Sequence, residues 1–508
     1  MRPPPRRPSR PSGQPPRGRG DAANHRPVRG PTSFGAPSPS AAPTAPSRPE
    51  PRTARQLAWR CLVDAAADPT EPFTSDLLDE RRTALADPRE RGLATELTLG
   101  VIRRQRSLEL LIRPLLNRPW EDLEPDLRRL LSLGAYQLVC CDGIPAHAAV
   151  HETVALAEWS GVGRWTGFAN GVLRGLARSL TDEFAEGPGR NQVPVGPGRY
   201  RVLSTAPFVD PTLDFARHAA QAWSFPDWLV QRWYARLGRE RLIARLEWFN
   251  RPAPPCLRIN PARGDRANVL TQLATAGIEA TAGEWPESVR LADTVSAERL
   301  PGLDTGEYSI QDEAAMSAAR LLEPQAGERL LDLCAAPGGK ATHLAELTGD
   351  GARIVACDVD SERLEMVHRN VRRLGLKGIE TRLLARTSAL PLQGEDWPAE
   401  SFDGVLLDVP CSNTGVMGKR PEARWRLRVT EFAELAELQG GLLDRAARLT
   451  RPGGRIVYST CSIEPEENEV VVAAFLARAA GWRLVREVAW LPGEPTDGAY
   501  QARLERVS

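Results

Sequence analysis

The segment that indicates the fold class is Glu328-Arg329-Leu330-Leu331-Asp332-Leu333-Cys334, continued by Ala335-Ala336-Pro337-Gly338-Gly339-Lys340. The apolar first half of this segment predicts a short buried strand, and its glycine pair predicts a turn. Residues 341–347, which follow it, predict a helix. A strand, a glycine turn and a helix form the opening unit of a nucleotide-binding α/β fold, because glycine lets the backbone approach a ligand and helix N–H groups face it. The segment is neither a Walker A loop nor a GxGxxG motif.

Further strands predict a doubly wound, mostly parallel sheet. We expect them at residues 353–358, near 380–384, at 404–408 and at 455–459, with a helix at 362–374. Asp358 ends the second strand, 20 residues beyond Gly338, where an acid commonly binds ribose hydroxyls. No acid follows the third strand around Ala385. If the ligand carries an adenine amine, one expected acceptor is missing there.

Two cysteines follow the fourth and fifth predicted strands. Cys411 lies in Asp408-Val409-Pro410-Cys411-Ser412-Asn413-Thr414-Gly415, and Cys461 lies in Ser459-Thr460-Cys461-Ser462. Ligands and chemistry collect at the carboxyl ends of parallel strands, so thiols placed there suggest nucleophilic work. The alternative is a buried structural thiol, since free cysteine is among the most buried residue types. We favour that alternative for Cys334 and Cys357 only.

Composition limits the class of protein. A chain of 508 residues predicts two or three domains. Its eight cysteines form no CxxC pair, which argues against a zinc or iron–sulfur site, and we expect no metal. Free thiols favour a reducing compartment. We find neither an apolar run of about 18 residues nor a signal-peptide core, so we expect a cytoplasmic protein without a membrane span.

Composition also divides the chain. Residues 1–52 carry ten arginines against Asp21 and Glu50, a net charge of +8, and their Pro-rich, apolar-poor sequence predicts disorder. Their role stays open between non-specific phosphate binding and a solvated tail. Residues 53–180 predict helices, 181–211 a Gly- and Pro-rich linker, 212–310 a small helical and strand-rich region, and 311–508 the α/β domain.

Two family resemblances rest on these segments. Ala135-Tyr136-Gln137-Leu138, residues 144–150 and residues 168–174 resemble the NusB-type helical RNA-binding domain. Residues 332–340, 408–415 and 459–462 resemble the RNA cytosine-5 methyltransferases that use S-adenosylmethionine. The combination resembles the RsmB-type (Fmu/Sun) 16S rRNA methyltransferases, whose usual target is cytosine 967. The resemblance implies a Rossmann-like methyltransferase domain preceded by an all-α NusB-like domain.

The resemblance also implies roles for residues. Cys461 would attack C6 of the cytosine, Cys411 would help resolve the covalent adduct, and Asp408 would lie near the base edge. Covalent attack splits one difficult methyl transfer into easier steps. Asp332 would line the cofactor side. The implied cofactor-binding residues are Cys334, Ala335, Ala336, Pro337, Gly338, Gly339, Lys340, Asp358 and Asp408.

Cationic residues suggest where RNA binds. Arg258 is a candidate phosphate contact at a strand end. Residues 419–426 combine four cations with a tryptophan, and cations hold phosphate while an aromatic ring stacks a base. The alternative is an exposed, charged helix start. The candidates in this segment are Lys419, Arg420, Arg424, Trp425 and Arg426.

We expect an enzyme acting as a monomer on 16S rRNA. One alternative is the same reaction on tRNA, against which the NusB-like domain argues by resemblance. Another is a non-catalytic RNA chaperone, which the missing acid near Ala385 favours slightly. Cys411 and Cys461 argue more strongly against it.

Overall fold

The computed structural model describes residues 49–66, 74–385, 397–493 and 495–507. Residues 1–48 fall outside this set, so most of the predicted disordered tail lies outside the described residues. The segment 386–396, which follows the third strand of the α/β domain, also lies outside them. Within the described part, no helix is both long enough and apolar enough to span a bilayer.

The N-terminal region is helical, as the sequence predicted. Pro88 and Pro125 stand at the first turns of their helices, where a missing N–H costs nothing. Apolar faces of these helices pack into one core with Trp59, Leu130 and Leu173. The helices are α1 (Ala54–Asp64), α2 (Thr74–Arg81), α3 (Pro88–Ile112), α4 (Pro125–Cys140), α5 (Ala146–Trp159) and α6 (Thr166–Ser179).

A small antiparallel sheet follows, where the sequence predicted a linker. Its strands are β1 (Leu180–Ala185), β2 (Gln192–Gly196) and β3 (Arg199–Leu203), in the order β1-β3-β2. The linker prediction for residues 181–211 was therefore wrong. Pro197-Gly198 forms the tight turn of a hairpin, with Gly198 at φ +61°. Tyr200 and Leu203 are buried in the N-terminal core, which the glycine and proline content concealed.

Three helices and a four-stranded sheet come next. Trp223, Phe225 and Trp233 are fully buried, so this aromatic cluster is core and not a base-stacking platform. Helix α8 kinks at Gly238, whose φ is +74°. The antiparallel sheet has the order β5-β6-β4-β7. The elements are α7 (Phe215–Ala222), α8 (Asp227–Phe249), β4 (Cys256–Ile259), α9 (Arg266–Thr275), β5 (Ala280–Ala282), β6 (Ser288–Leu291) and β7 (Tyr308–Ile310).

The remaining elements form the predicted α/β domain. They are α10 (Glu313–Leu322), β8 (Arg329–Asp332), α11 (Gly339–Leu347), β9 (Arg353–Asp358), α12 (Ser361–Leu374), β10 (Ile379–Leu383), β11 (Phe402–Asp408), α13 (Ala423–Arg426), α14 (Glu431–Leu449), β12 (Thr450–Thr460), α15 (Glu469–Arg478), β13 (Trp482–Trp490) and β14 (Ala499–Arg506). The sheet order is β10-β9-β8-β11-β12-β14-β13. Strands β10, β9, β8, β11 and β12 are parallel, β14 is antiparallel to β12, and the edge strand β13 is antiparallel to β14.

Helices cover both faces of this sheet. Leu330 packs with α10, α11 and α12, whereas its neighbour Leu331 packs with α14 and α15. Burial on both faces explains why β8, β9, β11 and the second half of β12 contain runs of adjacent apolar residues, whereas the edge strand β10 is partly exposed. The strand order reverses between β8 and β11, and ligands bind at such a switch point, beyond the carboxyl ends of the strands.

Candidate active site

Two neighbouring strands bring the two cysteines together. Asp408, at the end of β11, pairs in register with Ser459 of β12. Cys411 and Cys461 follow shortly after that pair, on the same edge of the sheet. Their Sγ atoms lie 3.0 Å apart, although 50 positions separate them in the chain. Both cysteines are half-buried.

The two thiols have different surroundings. The contact with Cys461 and burial raise the pKa of Cys411 well above its ordinary value of 9.0. Cys411 therefore keeps its proton at neutral pH. Cys461 contacts Asn413 Oδ1 at 3.3 Å, and Asn413 Nδ2 donates to the Cys411 carbonyl at 2.9 Å. Asn413 adopts φ +58°, a left-handed conformation that asparagine tolerates well, and thus connects the two cysteine loops.

A buried carboxyl group lies behind both cysteines. Glu467 accepts hydrogen bonds from the Ser412 amide at 2.8 Å, from the Ser462 hydroxyl at 2.5 Å and from Gln439 Nε2 at 3.1 Å. The Ser412 hydroxyl donates to it as well. Burial raises the pKa of Glu467, while these donors oppose the rise. Each serine directly follows a cysteine, so Glu467 holds both loops. Sequence reasoning missed it, because nothing in the motif spacing identifies the acid that the two serines share.

Asp408 links the cysteine edge to the cofactor loop. Lys340 Nζ donates to Asp408 Oδ2 at 2.6 Å, and the Ser459 hydroxyl donates to Oδ1 at 3.0 Å. Burial disfavours the charge on Lys340, but the Asp408 carboxylate outweighs it and raises the pKa of the amine above 10.5. The sequence predicted both residues for the site, and the structure joins them as an ion pair.

The predicted cofactor loop closes on the end of β9. Asp358 Oδ2 accepts from the Ala336 amide at 3.1 Å, and the Ala335 amide donates to the Cys357 carbonyl at 2.7 Å. Gly338 adopts φ +99°, and a Cβ there would lie 3.1 Å from Val367 Cγ1. Only glycine fits this position. Pro337 is exposed, Cys334, Gly339 and Lys340 are half-buried, and the two alanines are buried.

The donor set beside this loop suits S-adenosylmethionine. Asp332 is fully buried, and within the described part of the chain no side chain donates a hydrogen bond to either of its carboxyl oxygens. Burial and the nearby Asp408 raise its pKa to about 8. An unpartnered buried carboxyl group is costly unless a ligand compensates it. Asp332, Asp358 and Asp408 suit a ligand that carries cationic centres and a ribose diol.

Arg258 does not face RNA, and its prediction as a phosphate contact was wrong. Its side chain is fully buried and donates to both carboxylate oxygens of Glu346, at 2.7 and 2.9 Å. It also donates to the Gly339 carbonyl at 2.6 Å. Strand β4 ends against α11, so this cation joins the small domain to the helix that follows the cofactor loop. A single arginine at a strand end carried no signal of that packing.

The predicted RNA segment 419–426 is largely engaged within the protein. Arg424 is fully buried and donates to backbone and side-chain oxygens, so its RNA-binding prediction was wrong. Trp425 is half-buried, and its Nε1 donates to the Ile102 carbonyl at 3.0 Å. Lys419 pairs with Asp312 and Asp497 at 3.0 and 2.6 Å. Arg420 and Arg426 are exposed, and their RNA contact stays a prediction.

Comparison with known proteins identifies the family. The chain matches the model of the 16S rRNA methyltransferase RsmB/F over residues 319–498, the NusB family over 52–178 and the RsmF/B-like ferredoxin-like domain over 225–298. It is 36% identical to the probable ribosomal RNA small subunit methyltransferase B of Synechocystis sp., over 85% of this chain and 90% of that protein. The chain belongs to the RsmB/F family.

Other relatives agree with this assignment. The ribosomal RNA small subunit methyltransferase B of Klebsiella pneumoniae is 36% identical, over 85% of this RsmB/F chain and 93% of that protein. The solved structure of the protein PH0851 superposes with a TM-score of 0.71 at 24% identity, covering 89% of this chain and 99% of the other. That likeness shows a shared fold. The family and fold class predicted from the sequence are confirmed.

Proposed function

We propose that this chain methylates C5 of a cytosine in 16S rRNA through a covalent bond between Cys461 and C6. Position 967, the usual target of the family it resembles, is the proposed site. The observation that carries the proposal is the 3.0 Å contact between Cys411 Sγ and Cys461 Sγ. Two thiols in contact at the carboxyl edge of a parallel sheet are unnecessary for packing and are what attack and release require.

The thiolate of Cys461 adds to C6 and makes C5 electron-rich. S-adenosylmethionine supplies the electrophilic methyl group when bound. Once C5 carries the methyl group, its proton passes to solvent, the C5–C6 double bond forms again, and the C6–S bond breaks with its electron pair returning to Cys461 as the thiolate. Covalent catalysis of this kind needs a good nucleophile that is also a good leaving group. The target base must leave its stack to reach the thiols, as bases do in other nucleic-acid methyltransferases.

Cys411 serves release. Its raised pKa keeps a proton on its sulfur, 3.0 Å from Cys461 Sγ. A hydrogen bond from that S–H stabilises the departing Cys461 thiolate. The different surroundings of the two thiols support this division of labour.

Asp408 acts on the base edge. It lies beside the thiols and accepts from Lys340 and Ser459 through different oxygens. Two donors fix the carboxyl group, and its remaining lone pairs are available to the cytosine. We propose that the Asp408 carboxylate accepts a hydrogen bond from the N3–H of the base after N3 has taken a proton from solvent, because the charge of the protonated ring favours attack at C6.

Bisulfite sequencing of rRNA and tRNA from a deletion strain tests the substrate. We expect one 16S cytosine to lose protection, with recovery by the wild-type gene and none by Cys461→Ala. Loss in tRNA instead would favour the tRNA enzyme. Unchanged methylation in both RNAs would favour the non-catalytic chaperone, which the missing acid near Ala385 motivates.

A further inference from the structure

The loop that carries Cys411 is anchored outside the α/β domain. Met417 and Ala423 belong to the N-terminal hydrophobic core, together with Trp233 and Phe249, and not to either core of the parallel sheet. Met417 is fully buried there. The residues that immediately follow the first catalytic cysteine thus pack with the NusB-like helices and the α7–α8 pair.

Arg424 is the polar anchor of this loop. Its fully buried guanidinium donates to groups from three parts of the chain: Arg103 O at 3.3 Å, Ser224 O at 3.3 Å, Phe249 O at 3.0 Å, Asn250 Oδ1 at 2.9 Å and Met417 O at 3.1 Å. Arg103 of α3 returns the interaction by donating to the Gly418 carbonyl at 3.0 Å. Helix α3 and the cysteine loop therefore hold each other through two buried arginines.

Burial of these arginines is electrostatically unfavourable. Burial, then Arg103 and Arg104, lower the pKa of Arg424 well below 12.5. The five acceptors named above are neutral carbonyl and amide oxygens. Such an arrangement persists only where the surrounding structure over-determines it, and it specifies one geometry rather than adding stability.

The loop that carries Cys461 is anchored to α8 in the same way. Glu464 is fully buried and accepts from Trp233 Nε1 at 2.7 Å and from Arg232 Nε at 2.6 Å. Its amide donates to the Ser462 hydroxyl at 3.1 Å. Ile463 joins the N-terminal core beside Met417. Both cysteine loops thus end in anchors supplied by the first half of the chain.

We propose that Arg424 and Glu464 are positioning residues, through which the NusB-like domain and the α7–α8 pair set the distance between Cys411 and Cys461. The N-terminal half is then a scaffold for the two thiols, in addition to any contact with RNA. The claim that this distance matters for catalysis rests on the proposed function. The claim that Arg424 and Glu464 set the distance does not. A displacement of about 1 Å at a reacting centre costs up to ~100-fold in rate.

Trp233→Phe is the mildest test, because it removes one hydrogen bond to Glu464 and keeps an aromatic ring in the core. Glu464→Gln and Arg424→Lys test the two anchors directly. Arg428→Gln is the control, since Arg428 is exposed and pairs with Glu431 and Glu434 on its own stretch of the surface. Circular dichroism and the melting temperature establish that each full-length variant is folded.

The readout is the rate at which diamide converts the Cys411 and Cys461 thiols into a disulfide, with diamide taking up the two electrons and two protons. Mass spectrometry of the linked peptides measures how fast this disulfide forms. We expect 10- to 100-fold slower linkage in the three anchor variants and no change in Arg428→Gln. The kcat for methylation should fall in parallel, with KM for RNA unchanged.

Folded anchor variants that link their thiols and methylate RNA at the wild-type rate would overturn the proposal. If the anchor variants form the disulfide more slowly but the wild-type protein methylates no cytosine, the positioning role stands and the proposed function is refuted. The two failures are therefore distinguishable.

Discussion

Lys340 Nζ lies 2.6 Å from Asp408 Oδ2, which joins the predicted cofactor loop after β8 to the carboxyl end of β11, where we propose that the reaction takes place. Neighbouring parallel strands bring the two residues together, since β8 and β11 pair directly. The cofactor side and the base side of the site therefore share one ion pair. A substitution of Lys340 should therefore alter the orientation of Asp408, and a substitution of Asp408 should alter that of Lys340.

Lys340→Gln should lower kcat about 100-fold, because Asp408 loses the cation that orients it, on the scale of losing one preorganised charged donor. Lys340→Arg should recover part of the loss. Steady-state kinetics on an RNA fragment, with equilibrium binding of S-adenosylmethionine, would measure both effects. A kcat within twofold of wild type for Lys340→Gln would show that the ion pair has no role in the reaction.

Asp332 should make cofactor binding depend on pH. Its pKa of about 8 means that it is mostly protonated at pH 7. We expect a cationic ligand to bind the ionised form, so binding should release about one proton at pH 7 and tighten up to pH 8. Calorimetry in buffers of different ionisation enthalpy measures the release. Asp332→Asn should lower the number of protons released on cofactor binding, because this variant has no carboxyl group to ionise. Proton release equal to that of the wild type would refute this role.

Asp332 should also destabilise the protein at neutral pH. An acid whose pKa is raised by folding binds its proton more tightly when folded, so stability falls as pH rises from about 4 to 8. Asp332→Asn removes this penalty. We expect its melting temperature at pH 8 to exceed the wild-type value by a few degrees, on the order of 2–4 °C. A lower melting temperature for the variant would contradict the assigned burial cost.

Arg258→Gln should weaken cofactor binding without changing RNA binding. The side chain holds Glu346 and the Gly339 carbonyl and lies away from solvent. We expect Kd for S-adenosylmethionine to rise about tenfold, since one buried charge-assisted network is lost. RNA affinity and its salt dependence should stay unchanged. Arg420→Gln is the matched comparison. If Arg420 contacts a phosphate, the substitution should reduce the slope of log K for RNA binding against log salt concentration by about 1. The opposite pattern would restore the original interpretation of Arg258.

Local patterns predicted the α/β domain well. Four of the five parallel strands, β8, β9, β11 and β12, were predicted because burial on both faces gives each a run of adjacent apolar residues. The edge strand β10 is partly exposed and carries Glu380 and Arg382. The cysteine pair was predicted because strand ends in a parallel sheet share an edge. In both cases the deciding information lies within a few adjacent residues.

The predictions failed where contacts between distant parts of the chain determine whether a residue is buried. Arg258 and Arg424 have the sequence context of surface cations, and only contacts with distant elements bury them. Glu467 was missed because its partners, Ser412 and Ser462, reach it through the fold. The β1–β3 sheet was taken for a linker because its turns are rich in glycine and proline. Composition does not show which neighbours will cover Tyr200.

The division of labour between Cys461 and Cys411 can be measured on a denaturing gel with labelled RNA and S-adenosylmethionine. Cys411→Ala should accumulate a covalent RNA–protein adduct, because attack by Cys461 proceeds and release fails. Cys461→Ala and the double variant should form none. An adduct with Cys461→Ala and none with Cys411→Ala would contradict the assignment of nucleophile and release thiol.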